Sequence, residues 1–311
     1  MSRITLLAMT SIAVCVCCLS ISTLGEPFSN AASVFDLCMG ARPFSMGNAF
    51  VGLADDGNSI LYNAAGLAWS TGLSLLSSYE ARPDTAAYGN IAVSLPRFGV
   101  ALHYFDFGDV PETDEFGNTI GIFSYSAMGF VAAAAMKASD LPLFSRVSLA
   151  DHFSLGIGAR FLHVSTLDPG SGTGFGLDFS GLYRIDSPSP RVPAITGYGL
   201  GMVVENLTGL PIKYGNGHQE DWPTRMVVGT FVELADQMIL AIDFNSEQSF
   251  CVGVEWTPIQ ALSLRGGIKN VGPWVWSFGV GLRFSGFAFD FSIVPHTYLN
   301  SQLRGSFTVE W

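Results

Sequence analysis

The carboxy-terminal part of the chain alternates with a period of two. Trp274, Trp276, Phe278, Val280, Leu282 and Phe284 share one parity, and Val275, Ser277, Gly279, Gly281 and Arg283 share the other. Phe287, Phe289, Phe291 and Ile293 then alternate with Ala288, Asp290 and Ser292. Leu303, Phe307, Val309 and Trp311 alternate with Arg304, Ser306, Thr308 and Glu310. Such a period predicts strands whose two faces meet different surroundings. A soluble sandwich would put Lys and Glu on its outward face. Here the non-bulky face is Gly, Ser and isolated charges. The pattern therefore predicts an all-β fold: a transmembrane antiparallel β-barrel with lipid against the bulky face and a crowded or wet lumen.

From Ser70 onward the same reading predicts strands at 70–80, 86–95, 97–107, 120–136, 152–166, 172–184, 195–206, 222–234, 236–246, 248–257, 259–269, 273–284, 286–295 and 299–311. About fourteen strands result, an even number that brings both barrel ends to one side. The longer connections fall at 107–119, 137–151, 185–194 and 207–221. Trp69, Trp222, Trp256, Trp274 and Trp311 lie at or near strand ends, where aromatic girdles belong.

Residues 26–69 break the alternation. They carry a turn vocabulary (Gly40, Gly47, Gly52, Asp55 to Asn58, Gly66) yet keep Phe35, Met39, Phe44, Met46, Phe50, Ile60 and Leu67. A disordered linker would not keep them. The segment reads as a compact plug, with short helical patches at 48–53 and 59–62. Residues 1–25 read as a secretory signal: Arg3, an apolar stretch from Ile4 to Leu24, and small residues before a cut after Gly25 or, alternatively, Ala32. The domains are then signal 1–25, plug 26–69 and barrel 70–311.

Composition narrows the class. Of 311 residues, 49% are hydrophobic and only 13% charged, against roughly 25% charged in soluble domains. Past the signal no apolar run reaches the roughly 18 residues of a membrane-spanning helix, so strands must cross. A net charge of −11 excludes a nucleic-acid partner, which needs clustered Lys and Arg. Past the signal only Cys38 and Cys251 remain, too few for a disulfide framework; a bridge between them would need Cα atoms within about 7 Å.

Enzyme chemistry finds no foothold. His103, His152, His163, His218 and His296 are scattered, and no GxSxG, HExxH or P-loop pattern occurs. The Gly-rich runs 172–176 and 197–201 repeat glycine at every second position, as a strand face does. The acidic cluster Asp106, Asp109, Glu112, Asp114 and Glu115 lacks EF-hand spacing and reads as a solvated loop. No cofactor and no metal is expected.

By parity the small-residue faces carry Arg160, Asp178, Arg184, Glu205, Asp243, Glu255, Arg265, Arg283, Asp290, Arg304 and Glu310. On a lipid face an Arg or Lys at mid-depth costs roughly 2–4 kcal/mol, so these groups belong in the lumen. They would either tie the plug to the wall through a polar network or hydrate a pore.

The segment Met39 to Asp56 (MGARPFSMGNAFVGLADD) and its continuation Ile60 to Leu67 (ILYNAAGL) resemble the N-terminal signature of the PorV/PorQ-like family, relatives of FadL-type outer-membrane transporters. Ala64 stands where the family usually has proline. Phe153 to Val164, Gly174 to Tyr183 and Leu262 to Gly267 also resemble that family's strands. The resemblance implies a hatch at 36–68 inside the barrel, with Gly40, Arg42, Gly47, Asn48, Asp55, Asp56, Asn63 and Gly66 as its motif. It implies the outer membrane of a Gram-negative-type bacterium, with membrane lipid and the barrel assembly machinery as partners. The first functional expectation is a FadL-like channel for hydrophobic or small amphipathic solutes, taken up or exported. Phe105, Phe107, Phe116, Ile120, Ile122 and Phe123 are candidates for its capture groove. The alternatives are a PorV-like module that binds secreted protein cargo for a type IX-like secretion system, and a structural barrel without transport.

Overall fold

The computed structural model describes residues 31–37, 39–81, 86–144, 146–167, 170–186, 194–247, 249–270, 273–295 and 301–311. The signal region and Cys38 lie outside them, and with Cys38 the bridge to Cys251.

The alternating segments pair in sequence order as β1 (Ser74–Ala81), β2 (Ala87–Leu95), β3 (Phe98–Thr113), β4 (Thr119–Lys137), β5 (Phe153–Ser165), β6 (Ser171–Asp186) and β7 (Ile195–Glu205). A short hairpin follows, β8 (Ile212–Tyr214) and β9 (Gln219–Glu220). The wall resumes with β10 (Arg225–Leu234), β11 (Met238–Asn245), β12 (Phe250–Ile259), β13 (Leu262–Asn270), β14 (Trp274–Phe284), β15 (Phe287–Val294) and β16 (Gln302–Glu310). All neighbours are antiparallel, and β1 pairs with both β2 and β16, Ser74 opposite Ser94 and Glu310. That pairing closes a barrel of fourteen strands and leaves no edge in hydrocarbon. Among the described residues no helix is long and apolar enough to cross a membrane.

The strands' parity is as the alternation predicts. Trp276, Phe278, Leu282 and Phe291 stand exposed on the outside, whereas Ser277, Asp290, Arg304 and Ser306 are buried inside. Trp311 donates its backbone N–H to the Leu73 carbonyl at 2.9 Å, so the two ends of the wall meet at one end of the barrel, here the near end.

Two connections differ from expectation. Most of 107–119 is strand: β3 and β4 run on as a tall hairpin beyond the end of β2. A bulge between Asp106 and Asp109 carries them there, with Gly108 at φ 78°. The 207–221 connection is not a free loop. β7 pairs with β6 only from Phe179 to Asp186, and β8 continues the wall beside Gly172 and Thr173.

The lumen is occupied by the described residues between Ala31 and Trp69. A 3-10 turn (Ala31–Leu37), α1 (Ala41–Ser45), α2 (Ser59–Tyr62) and a second 3-10 turn (Ala64–Trp69) lie against the inner wall. Met39, Met46, Phe50, Leu53 and Leu67 are buried there. The helix expected at 48–53 does not form. Gly47 and Asn48 both take left-handed φ (64° and 67°), which turns the chain instead.

Candidate functional site

The internal segment meets the wall backbone to backbone. A Cβ on Gly267 of β13 would lie 2.1 Å from the Gly47 nitrogen, and one on Gly52 would lie 2.5 Å from the Thr230 nitrogen of β10. Hydrogen atoms at these positions let the two backbones touch, which any larger side chain forbids. In the every-second-residue glycine runs that resemble nucleotide loops in sequence, Gly201 makes the same close approach to the Val51 carbonyl, whereas Gly172 and Gly174 make room for the Tyr214 and Trp222 rings.

Charged groups bolt this contact from three sides. In the first, Arg42 of α1 reaches Glu255 on β12 through Nε (2.8 Å) and Nη2 (2.9 Å). Its Nη1 donates to Asp55 at 2.6 Å and to Asp56 at 2.8 Å. Glu255 also accepts from Arg265 Nε at 2.5 Å, and Arg265 Nη1 reaches Asp290 at 2.6 Å. Six of the residues singled out in the sequence thus form one chain of alternating charge across α1, β12, β13 and β15. Buried charges are tolerable when paired and hydrogen-bonded in this way. Burial pushes the Asp55 carboxyl up, but the Arg42 charge overrides it and holds the group below the usual carboxylate range. Asp56 goes the other way: burial, with the Asp55 charge beside it, outweighs Arg42 and raises it.

In the second, Arg160 pairs with Asp178 (2.5 Å) and Glu205 (3.1 Å), and Glu205 in turn accepts from Arg225 at 2.5 Å. Arg225 reaches Asp36 of the internal segment at 2.5 Å. Phe35 completes this side, stacked on Trp222 with ring centroids 5.8 Å apart. In the third, Arg304 of β16 is wholly buried against Glu80 of β1. It also donates to the carbonyls of Leu37 (2.5 Å) and Gly40 (3.4 Å), and its guanidinium lies 4.0 Å from the Phe44 ring centroid.

Further hydrogen bonds finish the fit. Asp243 Oδ2 accepts the backbone N–H groups of Phe50 (2.7 Å) and Val51 (2.8 Å). Asn63 donates to the Val51 carbonyl (2.8 Å) and accepts from Ala65 N (3.1 Å). Asn48 accepts from the Tyr62 hydroxyl at 3.3 Å. Gly66 packs where a Cβ would meet the Ala54 carbonyl at 2.1 Å, and Gly40 (φ 71°) precedes α1. Arg184 bonds Asp186 and the Leu53 carbonyl (3.2 Å).

Some expected members fall elsewhere. Arg283 has the inward parity but sits exposed at the near-end rim, one residue before β14 ends; parity gives a face and not a depth. The six groove candidates do not gather on one face. Phe105 packs inward against Tyr125, Phe123 is half-buried, Ile120 and Ile122 point outward, and Phe107 is exposed at the bulge that switches the parity of β3. Phe116 stands exposed near the hairpin tip. Conversely, sequence reading passed over Asp36, Glu80 and Arg225. For Glu80 the signal was present: Leu75 and Tyr79 point out, so Glu80 must point in.

Above the internal segment, toward the far end, a cavity of about 90 Å³ is lined on its apolar side by Phe35, Val51, Leu61, Val227, Phe244 and Cys251 and on its polar side by groups of both charges, Asp36, Glu205, Arg225, Asp243 and Lys269 among them. Among the described residues no group of His, Cys, Asp and Glu could hold a metal ion.

Fold and interior together define a class: a closed transmembrane β-barrel whose lumen is occupied by its own N-terminal segment. Solved structures are similar to this chain in fold. The CymD monoaromatic hydrocarbon channel matches with a TM-score of 0.62 at 14% identity, over 88% of this chain and 98% of that chain. The Pseudomonas putida toluene transporter TodX matches at 0.56 and 11% identity, over 88% and 98%. A Pseudomonas aeruginosa FadL homologue matches at 0.54 and 10% identity, over 88% and 97%. At these identities the likeness is one of fold. No protein-family model and no curated protein matches the sequence, so the PorV/PorQ resemblance stands on the quoted residues alone.

Proposed function

We propose that this chain is a FadL-like passive channel for hydrophobic or small amphipathic solutes, seated in the outer membrane of a Gram-negative-type bacterium and without enzyme activity. One observation carries the reading: a closed barrel whose interior is neither an open pore nor a featureless core. The lumen is stopped by a separate segment, and a cavity of mixed apolar and charged lining lies directly above it. A channel that admits solutes of low polarity needs an apolar surface to take them from water and a stop against free ion flow. The bare-glycine contacts and three buried or half-buried ion-pair groups supply the stop. The aromatic and aliphatic lining above it supplies the first surface.

The test is solute entry into liposomes carrying the purified chain, with toluene, phenol and a medium-chain fatty acid compared. The reading expects faster entry than into empty liposomes for at least one of these, and little conductance to potassium chloride. Entry no faster than through lipid for all three would overturn it. A stably co-purifying secreted protein, together with that failure, would favour the cargo-binding alternative.

A further inference from the structure

The outward wall of β3 to β6 is dented. In register across these strands one row reads Phe98, Ala134, Ile157, Phe179, and the next reads Val100, Ala132, Ala159, Leu177. One row further up, Phe130 and Phe161 stand opposite each other, both exposed. Ala132 and Ala159 thus lie where the row above carries aromatic rings, and Ala134 stands between Phe98 and Ile157. The missing side chains leave an apolar groove of about 540 Å³ on the barrel's outside, walled by Phe98 on one flank and Phe179 on the other. That volume falls within the range of sites that bury a small ligand, roughly 300–1,000 Å³.

Beside its near-end limit, in the turn between two of its lining residues, is a cation. Leu95 and Phe98 both line the groove, and Arg97 lies between them in the near-end turn from β2 to β3. Its side chain keeps about half its surface exposed (49%) and meets Asp140 at 3.1 Å. A guanidinium has five donors, so one carboxylate leaves several for a further anion. Most other described cations of this acidic chain are turned inward, among them Arg42, Arg160, Arg265 and Arg304.

We propose that the groove is a binding site for a membrane phospholipid, with an acyl chain on the alanine floor and an anionic headgroup at Arg97. The groove is continuous with the outward apolar band, so hydrocarbon is the medium it opens to. A void there would forfeit the dispersion contacts that its lining makes with any filler. An acyl chain is slender enough to enter a dent two rows deep. A second copy of the barrel would offer a convex wall that spans the dent without filling it. The headgroup end follows from direction: the groove runs to the near-end turn, where the membrane meets water and a phosphate can reach Arg97.

The site is independent of whether solutes cross the barrel, and its test needs no transport. The chain is purified in mild detergent, phosphatidylglycerol or phosphatidylethanolamine is added, and bound lipid is read by native mass spectrometry. The wild type should retain one phosphatidylglycerol at detergent levels that strip other lipid. Ala132→Phe/Ala159→Phe, which fills the floor, should lower that retention about tenfold. Arg97→Gln should reduce the preference for phosphatidylglycerol over phosphatidylethanolamine while leaving the acyl contact. Unchanged heat-modifiable migration on gels shows that each variant still forms the barrel. Equal retention by wild type and the filled variant overturns the proposal. So does a wild type that keeps no lipid, or one that dimerises through this face.

Discussion

At the residue scale the interior is a set of buried charges, and their pairing makes opposite predictions for neighbouring side chains. Glu80 and Arg304 both have no exposed side-chain surface. Removing one partner strands the other, at a cost of about 3–5 kcal/mol, whereas replacing both by apolar groups of like volume costs much less. Glu80→Leu should therefore lower the urea midpoint more than the double variant Glu80→Leu/Arg304→Met; a double variant as unstable as the single one would contradict this. Asp55 and Asp56 share Arg42 but titrate apart. The folded pKa of Asp55 lies below its unfolded value, so its contribution is present above that unfolded value and is lost as pH falls through the folded one. The folded pKa of Asp56 lies above its unfolded value, so its charged form weakens the fold as pH rises through that interval. At pH 7 Asp55→Asn should loosen the internal segment by about 1–2 kcal/mol. Asp56→Asn should leave it unchanged or firmer. Hydrogen exchange over residues 41–69 reads both.

At the element scale β14 shows how two faces of one strand fail differently. Phe278 is exposed to the outside, and Phe278→Arg puts a charge into hydrocarbon at roughly 2–4 kcal/mol, so assembly should fall. The sequence suggests that Ser277→Arg would be milder if the lumen has room. It has none: Ser277 Oγ accepts from Gly47 N and donates to the Ser45 carbonyl, each at 3.0 Å. Ser277→Arg should form the barrel but displace the internal segment, giving normal heat-modifiable migration with raised conductance. Normal conductance would show that the segment yields locally. The tall β3–β4 hairpin was less legible than β14. Gly108, Pro111 and the acidic residues read as a loop, and only cross-strand pairing around the bulge reveals a strand.

At the scale of the whole molecule, wall and contents form by different rules. Wall strands satisfy one another's backbone groups around the ring, so the barrel needs nothing from the lumen to close. Deleting 36–68 should leave an assembled barrel with higher single-channel conductance in planar bilayers. An assembled deletion variant with unchanged conductance would place the stop elsewhere and remove the basis for gating by this segment.

The sequence by itself determined the barrel, its parity and its strand number, because a strand in a bilayer wall meets lipid on one side and lumen on the other and must record that difference at every second residue. Parity also placed Glu255, Arg265 and Asp290 inside, and the family resemblance of the segment around Arg42 implied the same for that residue. Neither determined who pairs with whom. Arg42 and Glu255 are 213 residues apart, and their contact depends on barrel closure and on the depth at which each strand crosses. The same holds for Arg283, inward by parity yet beyond the lumen by depth, and for the dent on β3 to β6. There Ala132, Ala134 and Ala159 are unremarkable strand residues until register sets them side by side.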